Sequence, residues 1–439
     1  MALLARPEGL TPVEMEKLDS VFKAPGLKAT LISVFCAFGG WALLLPVVPL
    51  AVIDAGGSDS LAGLSTGLFM VATVITQAFT PAILRRVGHM PIMAVASLLL
   101  GAPAAIYAFD MSPATVLGVA IIRGIGFGAV TVAEAALIAE LVPPRLVGRS
   151  SGVFGATVGV TQLAAFPLGM WLYSHFGELV FLLALVYSIV GALAAIGLPV
   201  MRRHADHDVE SESLDYTPPE PRAATWKLAT VPGFCIAVAA GGFAAFSTFM
   251  APAVGDIDPA AAATIAGLTL SVMGGMQIVT RLGAGWWADR VGEPGHLMVS
   301  GLVLSLLGLL LAGFAIAWEL TGWKILVAAL GAAALFGAGF GVAQTEALLM
   351  MFHRLPREKS AQASALWNMT FDSGTGLGAT LLGVVAGALA YQGAFFVAGA
   401  IVVVGIFVAI LDRIIGRHRV TDHGNVRERL RRVVRRSVS

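Results

Sequence analysis

Five ionisable side chains lie deep within long apolar stretches of this sequence, and they are the first candidates for chemistry. They are Arg123, Glu134, Arg281, Glu346 and Asp372. An ionised side chain at the centre of a membrane span costs roughly 2.5–3.5 kcal/mol, so each group needs a partner, water or a function. A carboxyl group can take up and release a proton, whereas a guanidinium group keeps its charge. These residue types therefore indicate proton transfer, binding of a charged solute, or fixed charge pairs.

Asp372 ends a polar stripe on one predicted helix. Ser360, Ser364, Asn368 and Asp372 recur at every fourth position, which places them on one helix face. At about 1.5 Å per residue, Asp372 lies roughly 18 Å beyond the start of the helix, near the middle of a bilayer. Such a face cannot point at lipid tails. We predict a transport role for Asp372, and the alternative is a structural pair with a nearby positive charge.

Glu134 and Glu346 occupy equivalent positions in two predicted helices. Each precedes a proline, Pro144 or Pro356, by ten residues. Each also lies roughly 10–12 Å inside the end of its helix. Burial at that depth disfavours the charged form of a carboxyl group, so either residue can serve as a proton carrier. Pairing with a fixed positive charge or a backbone group is the equally weighted alternative.

Arg123 and Arg281 are the buried cations. Arg123 lies roughly 14 Å inside its helix, and its charge needs an acid such as Asp372 or an anionic substrate. Arg281 lies nearer a helix end, where its long side chain can reach the membrane surface. The proton-coupling candidates are Asp372, Glu134, Glu346 and Arg123. The substrate-binding candidates are Arg123, Glu134, Gln344, Glu346, Asn368 and Asp372.

Twelve apolar stretches must position these residues. They lie near 29–53, 61–84, 90–109, 114–142, 150–174, 179–201, 228–253, 262–287, 296–318, 323–352, 360–389 and 391–412. About 20 apolar residues suffice to cross a hydrocarbon core roughly 30 Å thick. We number them spans 1 to 12 and predict an all-α membrane protein with twelve transmembrane helices. Spans 3, 6, 9 and 12 have no charged residue in their interior, so we expect them to face lipid.

The basic residues predict the topology. Of 28 Lys and Arg residues, all but three fall in alternate connections between spans or at the two ends of the chain. The positive-inside rule therefore predicts a multi-pass protein of the cytoplasmic membrane with both termini in the cytoplasm. The opposite connections carry acids, namely Asp54, Asp59, Asp110, Glu178, Asp256, Asp258 and Glu319.

Composition excludes several other classes of protein. Hydrophobic residues make up 57% and charged residues 13% of the chain, and the mean hydropathy is +0.84, which excludes a soluble domain. The net charge of +1, with basic residues spread along one membrane face, argues against a nucleic-acid partner. The sequence has no G-x-x-x-x-G-K-S/T phosphate loop and no H-E-x-x-H metal motif. We therefore predict no enzyme activity, no cofactor and no metal site.

The chain divides into two halves of six spans each. We predict a cytoplasmic segment at 1–28, an N-terminal bundle at 29–201, a cytoplasmic linker at 202–227, a C-terminal bundle at 228–415 and a basic tail at 416–439. An internal repeat supports this division, because Gly124-Ile125-Gly126-Phe127-Gly128 in span 4 matches Gly337-Ala338-Gly339-Phe340-Gly341 in span 10. Repeated units of this kind are typical of transporters that bind substrate and ions near the midplane, between the halves.

The basic tail is predicted to form an amphipathic helix. Val426, Leu430, Val433 and Val434 recur at helical spacing among arginines. Such a helix lies on the surface of anionic lipid. A solvated tail is the alternative.

Twelve spans around a central linker resemble the major facilitator superfamily over nearly the full chain. The loop after span 8, Gly285-Trp286-Trp287-Ala288-Asp289-Arg290-Val291-Gly292, is similar to that family's G-x-x-x-D-R-x-G signature. The copy after span 2 ends in Arg85-Arg86-Val87-Gly88 and has Arg85 where the family has Asp. The resemblance implies gating loops that contain Arg85, Arg86, Gly88, Gly285, Asp289, Arg290 and Gly292.

Features of the first half resemble the drug:proton antiporter and sugar-efflux branch of that family. Pro46 and Pro49 lie at the end of span 1, and Arg123 precedes the glycine run of span 4. The resemblance implies a role for Arg123 in proton transfer. It also implies that spans 1, 4, 7 and 10 line the cavity, which would place Glu134 and Glu346 on it.

We predict a secondary active transporter that exports small amphipathic organic compounds by proton antiport and alternating access. Its partners are a small-molecule substrate, protons and the bilayer, and we expect a monomer. Two alternatives stay open. One is an organic-anion (carboxylate) permease that uses Arg123 and Arg281, and the other is a membrane receptor or scaffold without transport.

Overall fold

Within the described residues, all regular secondary structure is helical. The computed structural model describes residues 14, 17–143, 146–198, 225–291, 294–355 and 360–415. Most of the predicted N-terminal segment, nearly all of the linker, and the tail, for which an amphipathic helix is predicted, lie outside them. The α-helices are Leu27–Leu44, Val47–Asp54, Asp59–Val87, His89–Gly101, Pro113–Glu140, Val147–Phe176, Leu179–Ile196, Thr225–Gly255, Ala262–Val291, Met298–Ala317, Trp323–Arg354 and Ser360–Ile415.

These helices supply the predicted spans. Span 1 comprises the first two helices, and span 3 continues from Gly101 into the 3₁₀ helix Ala102–Ala108. In the described part of the chain, 11 helices are long and apolar enough to cross a membrane. The last of them, Gln362–Ile414, has 53 residues. At about 1.5 Å per residue it is roughly 80 Å long, more than twice the hydrocarbon thickness, so it must supply two crossings.

Spans 11 and 12 form a hairpin. The backbone leaves the helical region at residues 389–390. Before this break Gly374 packs against Ala237 of span 7, and after it Gly405 packs against the neighbouring Val238. The two glycines lie at nearly equal distances in sequence from the break, so the chain reverses direction there. The prediction of an all-α protein with twelve membrane spans is confirmed.

The repeated glycines pack in the same way in both halves. In each half the first glycine lies against one neighbouring span and the middle glycine against another. A Cβ atom at Gly124 would lie 2.2 Å from the carbonyl oxygen of Phe69 in span 2, and one at Gly126 would lie 2.4 Å from the backbone nitrogen of Leu100 in span 3. In the second half, a Cβ at Gly337 or Gly339 would lie 2.3 Å from the carbonyl oxygen of Met273 in span 8 or Gly301 in span 9. Only hydrogen fits at these positions, so the repeat sets the distance between helices.

The two halves meet where span 2 packs against span 11 and span 5 packs against span 8. A Cβ atom at Gly63 would lie 2.2 Å from the carbonyl oxygen of Ala379. Ser271 Oγ donates a hydrogen bond to the carbonyl oxygen of Leu163 over 3.3 Å. We call the side with the acidic connections the acidic side and the side with Arg85, Arg86, Arg354 and Arg413 the basic side. Both contacts lie in the half of the molecule nearer the acidic side.

We call the packed interface between the two halves the seam. Polar contacts also close the seam at its acidic side. Tyr391, at the start of span 12, donates its hydroxyl hydrogen to Asp59 Oδ1 of span 2 over 2.7 Å, which joins the two halves. Asp256, which follows span 7, lies beside Asp59. Burial and then the Asp59 carboxylate raise the pKa of Asp256 above its ordinary value. The closed seam therefore holds two acids near each other.

Toward the basic side the two halves separate. Gly159 of span 5 still meets Ile278 of span 8, since a Cβ there would lie 3.2 Å from its Cδ1 atom. One turn further along the same faces, a Cβ at Gly155 would meet nothing within 4 Å, and Leu282 is 72% exposed. The halves therefore separate toward the basic side, and we call the space between them the cleft.

Substitution of the middle glycines tests the packing of the repeat. We expect Gly126→Ala and Gly339→Ala each to destabilise the protein by about 1–3 kcal/mol, because the added methyl group would overlap backbone atoms of the next span. Gly118→Ala in span 4 is the matched control, since a Cβ there meets nothing within 4 Å. Thermal unfolding midpoints of the purified variants measure the difference. An equal midpoint for all three would contradict the packing assignment.

Candidate functional site

Asp372 of span 11 contacts Gln77 of span 2, so this pair links the two halves. Gln77 Nε2 donates to Asp372 Oδ2 over 2.8 Å, and the residues are 9% and 7% exposed. The amide oxygen Oε1 of Gln77 is buried and receives no hydrogen bond. The sequence pattern did not identify Gln77, although an amide inside an apolar span also needs a partner. The pair lies where the packed seam gives way to the cleft.

The remainder of the polar stripe extends from Asp372 into the cleft. Ser364 is half-buried and Asn368 is exposed, and Asn368 Nδ2 donates to the carbonyl oxygen of Ser364 over 2.9 Å. The side chain of Ser360 lies outside the described residues. The exposed apolar side chain of Leu377 lies on another face of the same helix. Along the polar face, exposure therefore rises from Asp372 to Asn368 and falls again at Ser364.

Gln344 joins three spans beside the cleft. It is 2% exposed, and its Oε1 atom accepts a hydrogen bond from Gln277 Nε2 of span 8 over 2.6 Å. Its carbonyl oxygen accepts a hydrogen bond from Trp367 Nε1 of span 11 over 3.1 Å. The residue therefore holds spans 8, 10 and 11 together, and Gln277 is a further polar residue that the sequence pattern did not identify.

Aromatic side chains form a contact network that runs through both halves. Phe166 of span 5 and Phe243 of span 7 connect the halves, with ring centroids 6.5 Å apart. Many of the rings stack, as Trp41 does on Phe127 with centroids 5.2 Å apart. The rings come from different spans, so no sequence motif indicates the network. Its members include Phe38, Trp41, Phe127, Phe154 and Phe166 in the first half and Phe243, Phe340, Trp367 and Phe371 in the second.

Glu134 is enclosed between spans 4 and 1. It is 0% exposed, and its Oε1 atom accepts a hydrogen bond from Ser33 Oγ over 2.8 Å. Its second oxygen, Oε2, is buried without a partner. The neighbouring spans contribute apolar residues such as Leu27, Met93 and Leu137 to the cluster around it. In this conformation Glu134 is separated from the cleft.

Glu346 binds the chain at the start of span 9. It is 1% exposed, and its carboxylate accepts a hydrogen bond from the backbone N–H of Gly295 and interacts with that of Leu297. Span 9 begins at Met298. A carboxylate stabilises the positive end of a helix dipole at this position. The two glutamates of the repeat therefore have different partners.

Arg123 is nearly fully buried and has no acidic partner among the described residues. It is 5% exposed, and Nε donates to the carbonyl oxygen of Leu100 over 3.0 Å. The guanidinium carbon lies 5.5 Å from the centre of the Phe69 ring. Asp372, which the sequence offers as a partner, contacts Gln77 instead. The structure therefore does not bring Arg123 and Asp372 together.

Arg281 is exposed, and the described residues offer it no hydrogen bond or ion pair. It follows Gly274 by seven residues and Gln277 by four, so the three share a helix face. Leu268 and Val279, which are 40% and 63% exposed, lie on the opposite face. Because those apolar side chains suit lipid, the face with Arg281 is the one that borders the cleft.

The predicted gating loops are described in part. Arg85 and Arg86 end span 2, and Gly88 has a φ of 87°, a left-handed conformation that favours glycine. Gly285 lies within span 8, and a Cβ there would meet nothing within 4 Å. The side chains of Asp289 and Arg290, and the whole of Gly292, lie outside the described residues.

The family model of the Major Facilitator Superfamily matches residues 30–377 and, in a second alignment, residues 233–438. Two uncharacterized MFS-type transporters from Mycobacterium tuberculosis, strains CDC 1551 and H37Rv, are 28% identical to the chain over 183 residues. That alignment covers 40% of this chain and 26% of each relative. The chain thus spans about a quarter of the length of the curated relatives it matches.

Solved structures of transporters share the fold. The nucleoside transporter NupG aligns with a TM-score of 0.68 and 14% identity, covering 88% of this chain and 98% of that one. A bacterial homolog of the human lysosomal transporter Spinster, in an inward-facing and unoccupied conformation, has the same TM-score and identity, with coverages of 88% and 96%. The peptide transporter POT aligns with a TM-score of 0.67 and 15% identity over 90% and 95% of the two chains. The family model covers most of the sequence, so this chain belongs to the Major Facilitator Superfamily and is a multi-pass membrane protein.

Proposed function

We propose that the protein exports small amphipathic organic compounds in exchange for protons, by alternating access in the cytoplasmic membrane. In this proposal the basic side and both termini face the cytoplasm, and the tail lies on anionic lipid. The observation that carries the proposal is the hydrogen bond between Asp372 and Gln77 across the two halves. It places a carboxyl group where the seam meets the cleft.

The protonation state of Asp372 determines how many hydrogen bonds it can form with Gln77. An ionised carboxylate only accepts hydrogen bonds, so it leaves the buried Oε1 atom of Gln77 without a donor. A protonated Asp372 carries an O–H group that can donate to that oxygen while still accepting from Nε2. A buried polar atom without a partner costs about 1–3 kcal/mol. Protonation therefore strengthens the contact and favours the conformation that is open to the basic side.

This direction of coupling fits antiport. A proton that arrives from the acidic side would return the empty transporter to the form open to the basic side. Its release there weakens the contact between Asp372 and Gln77 and permits the loaded transporter to open the other way. Proton and substrate then travel in opposite directions.

Glu134 and Glu346 are weaker candidates for the same step. The carboxylate of Glu346 is held by backbone N–H groups at the start of span 9, and Glu134 is enclosed without contact to the seam. Asp372 differs from both because it touches a residue of the other half.

The cleft also supports the amphipathic character of the substrate. Half-buried aromatic rings, among them Phe38, Phe154 and Phe371, belong to the network beside the polar stripe. Asn368 supplies an exposed amide on that stripe. Apolar walls with a few polar groups are typical of sites for small organic ligands.

An organic-anion permease is the second candidate, and Arg281 favours it. This residue provides an exposed charge without an acidic partner on the face that borders the cleft. A carboxylate on a substrate would pair with it in a bidentate manner. Arg123 contributes less to this candidate because it is 5% exposed and separated from the cleft.

The first test replaces Asp372 in protein reconstituted into liposomes, with ethidium as a cationic amphipathic probe. We expect Asp372→Asn to lower ethidium flux driven by a pH gradient by at least about tenfold, because an amide cannot carry a proton. Ethidium binding to the detergent-solubilised variant should persist, since asparagine can satisfy both polar atoms of Gln77. Glu319→Gln is the control, because it also replaces a carboxyl group by an amide but at an exposed position on the acidic side. Undiminished proton-driven flux in Asp372→Asn would rule out coupling at this residue.

The second test separates the two candidate substrates, with carboxyfluorescein as the anionic probe. If the site takes anions, Arg281→Gln should weaken carboxyfluorescein binding by about tenfold, or about 1.4 kcal/mol, and Arg281→Lys should restore part of it. Ethidium transport should stay unchanged. If the wild-type protein moves ethidium and ignores carboxyfluorescein, the anion permease is excluded.

A further inference from the structure

A second polar site lies within the first half, at the side chain of Arg123. A small cavity of about 20 Å³ adjoins this residue. Its wall includes Trp41 and Leu45 of span 1, Ser65 and Thr66 of span 2, and Tyr107 of span 3. The proposed coupling at Asp372 makes no use of this cavity.

Among the described residues, no acidic side chain compensates the charge of Arg123. Nε is satisfied by the carbonyl oxygen of Leu100, the Phe69 ring lies over the guanidinium group, and the Tyr107 hydroxyl is a neutral neighbour. No carboxylate among the described residues forms an ion pair with it. A buried charge without a partner of opposite sign is strongly unfavourable in a medium of low dielectric constant. The site therefore requires negative charge from outside the protein.

Trp41 provides an independent indication of a missing acceptor. Its indole Nε1–H group is buried and donates to no atom of the residues that the structure describes. Trp41 is 5% exposed and is part of the cavity wall. Indole nitrogen is a donor without any acceptor capacity. The wall of this cavity thus contains a residue with an unused donor and a buried cation without a carboxylate partner among the described residues.

We propose that the cavity at Arg123 binds one small monovalent anion of the halide class. The space accommodates one or two species the size of water, which matches a single small ion. The mixed wall of aliphatic and aromatic side chains suits a weakly hydrated anion. The proposal does not depend on proton antiport.

The test uses the full-length protein purified in gluconate and then supplied with chloride or bromide. A ligand that binds the folded protein alone raises its stability in proportion to the logarithm of its concentration. We expect halide to raise the unfolding midpoint of the wild type by a few degrees over gluconate at equal ionic strength. Trp41→Phe, which keeps a ring and removes the N–H group, should need a several-fold higher halide concentration for the same shift. Arg123→Gln should show no halide shift.

Lys324→Gln is the matched control, because it removes a cation that is exposed on the acidic side, and its halide shift should equal that of the wild type. If Arg123→Gln does not fold, a second measurement takes its place. Crystals of the wild type and of Trp41→Phe are grown in bromide, and the anomalous scattering at the cavity is compared. A bromide peak beside the Arg123 guanidinium group, weaker in Trp41→Phe, supports the proposal. Equal midpoints in halide and gluconate, an undiminished shift in Arg123→Gln, or a cavity without a bromide peak would overturn it. Ethidium flux in chloride-free buffer tests the antiport proposal separately.

Discussion

Close approach of helix backbones at glycine is the constraint on which this structure depends. Helices in a bilayer gain little from burying apolar side chains against one another, because lipid tails are equally apolar. They associate through dispersion contacts, which require the backbones to come close. Gly124 and Gly126, and their counterparts Gly337 and Gly339, permit that approach inside each half. Gly63 permits it between the halves, against Ala379.

The same constraint concentrates the polar chemistry in a few places. Where spans 2 and 11 pack at glycine there is no room for a large side chain, so the polar side chains of these two spans lie beyond the glycine contacts. Gln77 and Asp372 lie where close packing of spans 2 and 11 ends. Asn368 and Arg281 lie beyond that point, where the halves separate. The change from packed seam to open cleft is therefore also a change from glycine contacts to hydrogen-bonding groups.

The two copies of the internal repeat share the packing contacts of their glycines, but the partners of their glutamates differ. The glycines of spans 4 and 10 make equivalent contacts in the two halves, whereas Glu134 binds Ser33 and Glu346 binds the start of span 9. Packing distance is a property of the backbone, so it is conserved by any pair of glycines at that spacing. The partner of a carboxylate depends on which side chain or N–H group lies opposite. Two copies of one unit can therefore keep one architecture and carry different chemistry.

Much of the fold follows from the sequence because its determinants are local. Span length, the alternation of basic and acidic connections and the repeated glycines each appear in a continuous stretch of residues. The hairpin of spans 11 and 12 also follows from the length of this apolar stretch, because a single straight helix of that many residues would be far longer than the bilayer is thick. The acids of the candidate site were found because a charge in an apolar span is rare and costly.

The partners of those residues were decided by the tertiary structure. Gln77 is 295 positions from Asp372 in the chain, and the pairing of Arg123 with the Leu100 carbonyl rather than an acid depends on how spans 3 and 4 are rotated. The rotation of a helix about its axis is set by the sum of many weak packing contacts, so no single residue in the sequence indicates it. The sequence by itself determined which groups must avoid lipid. Only the tertiary structure decided what each of them meets, because hydrogen bonds act over a few ångströms between spans that the chain brings together from distant positions.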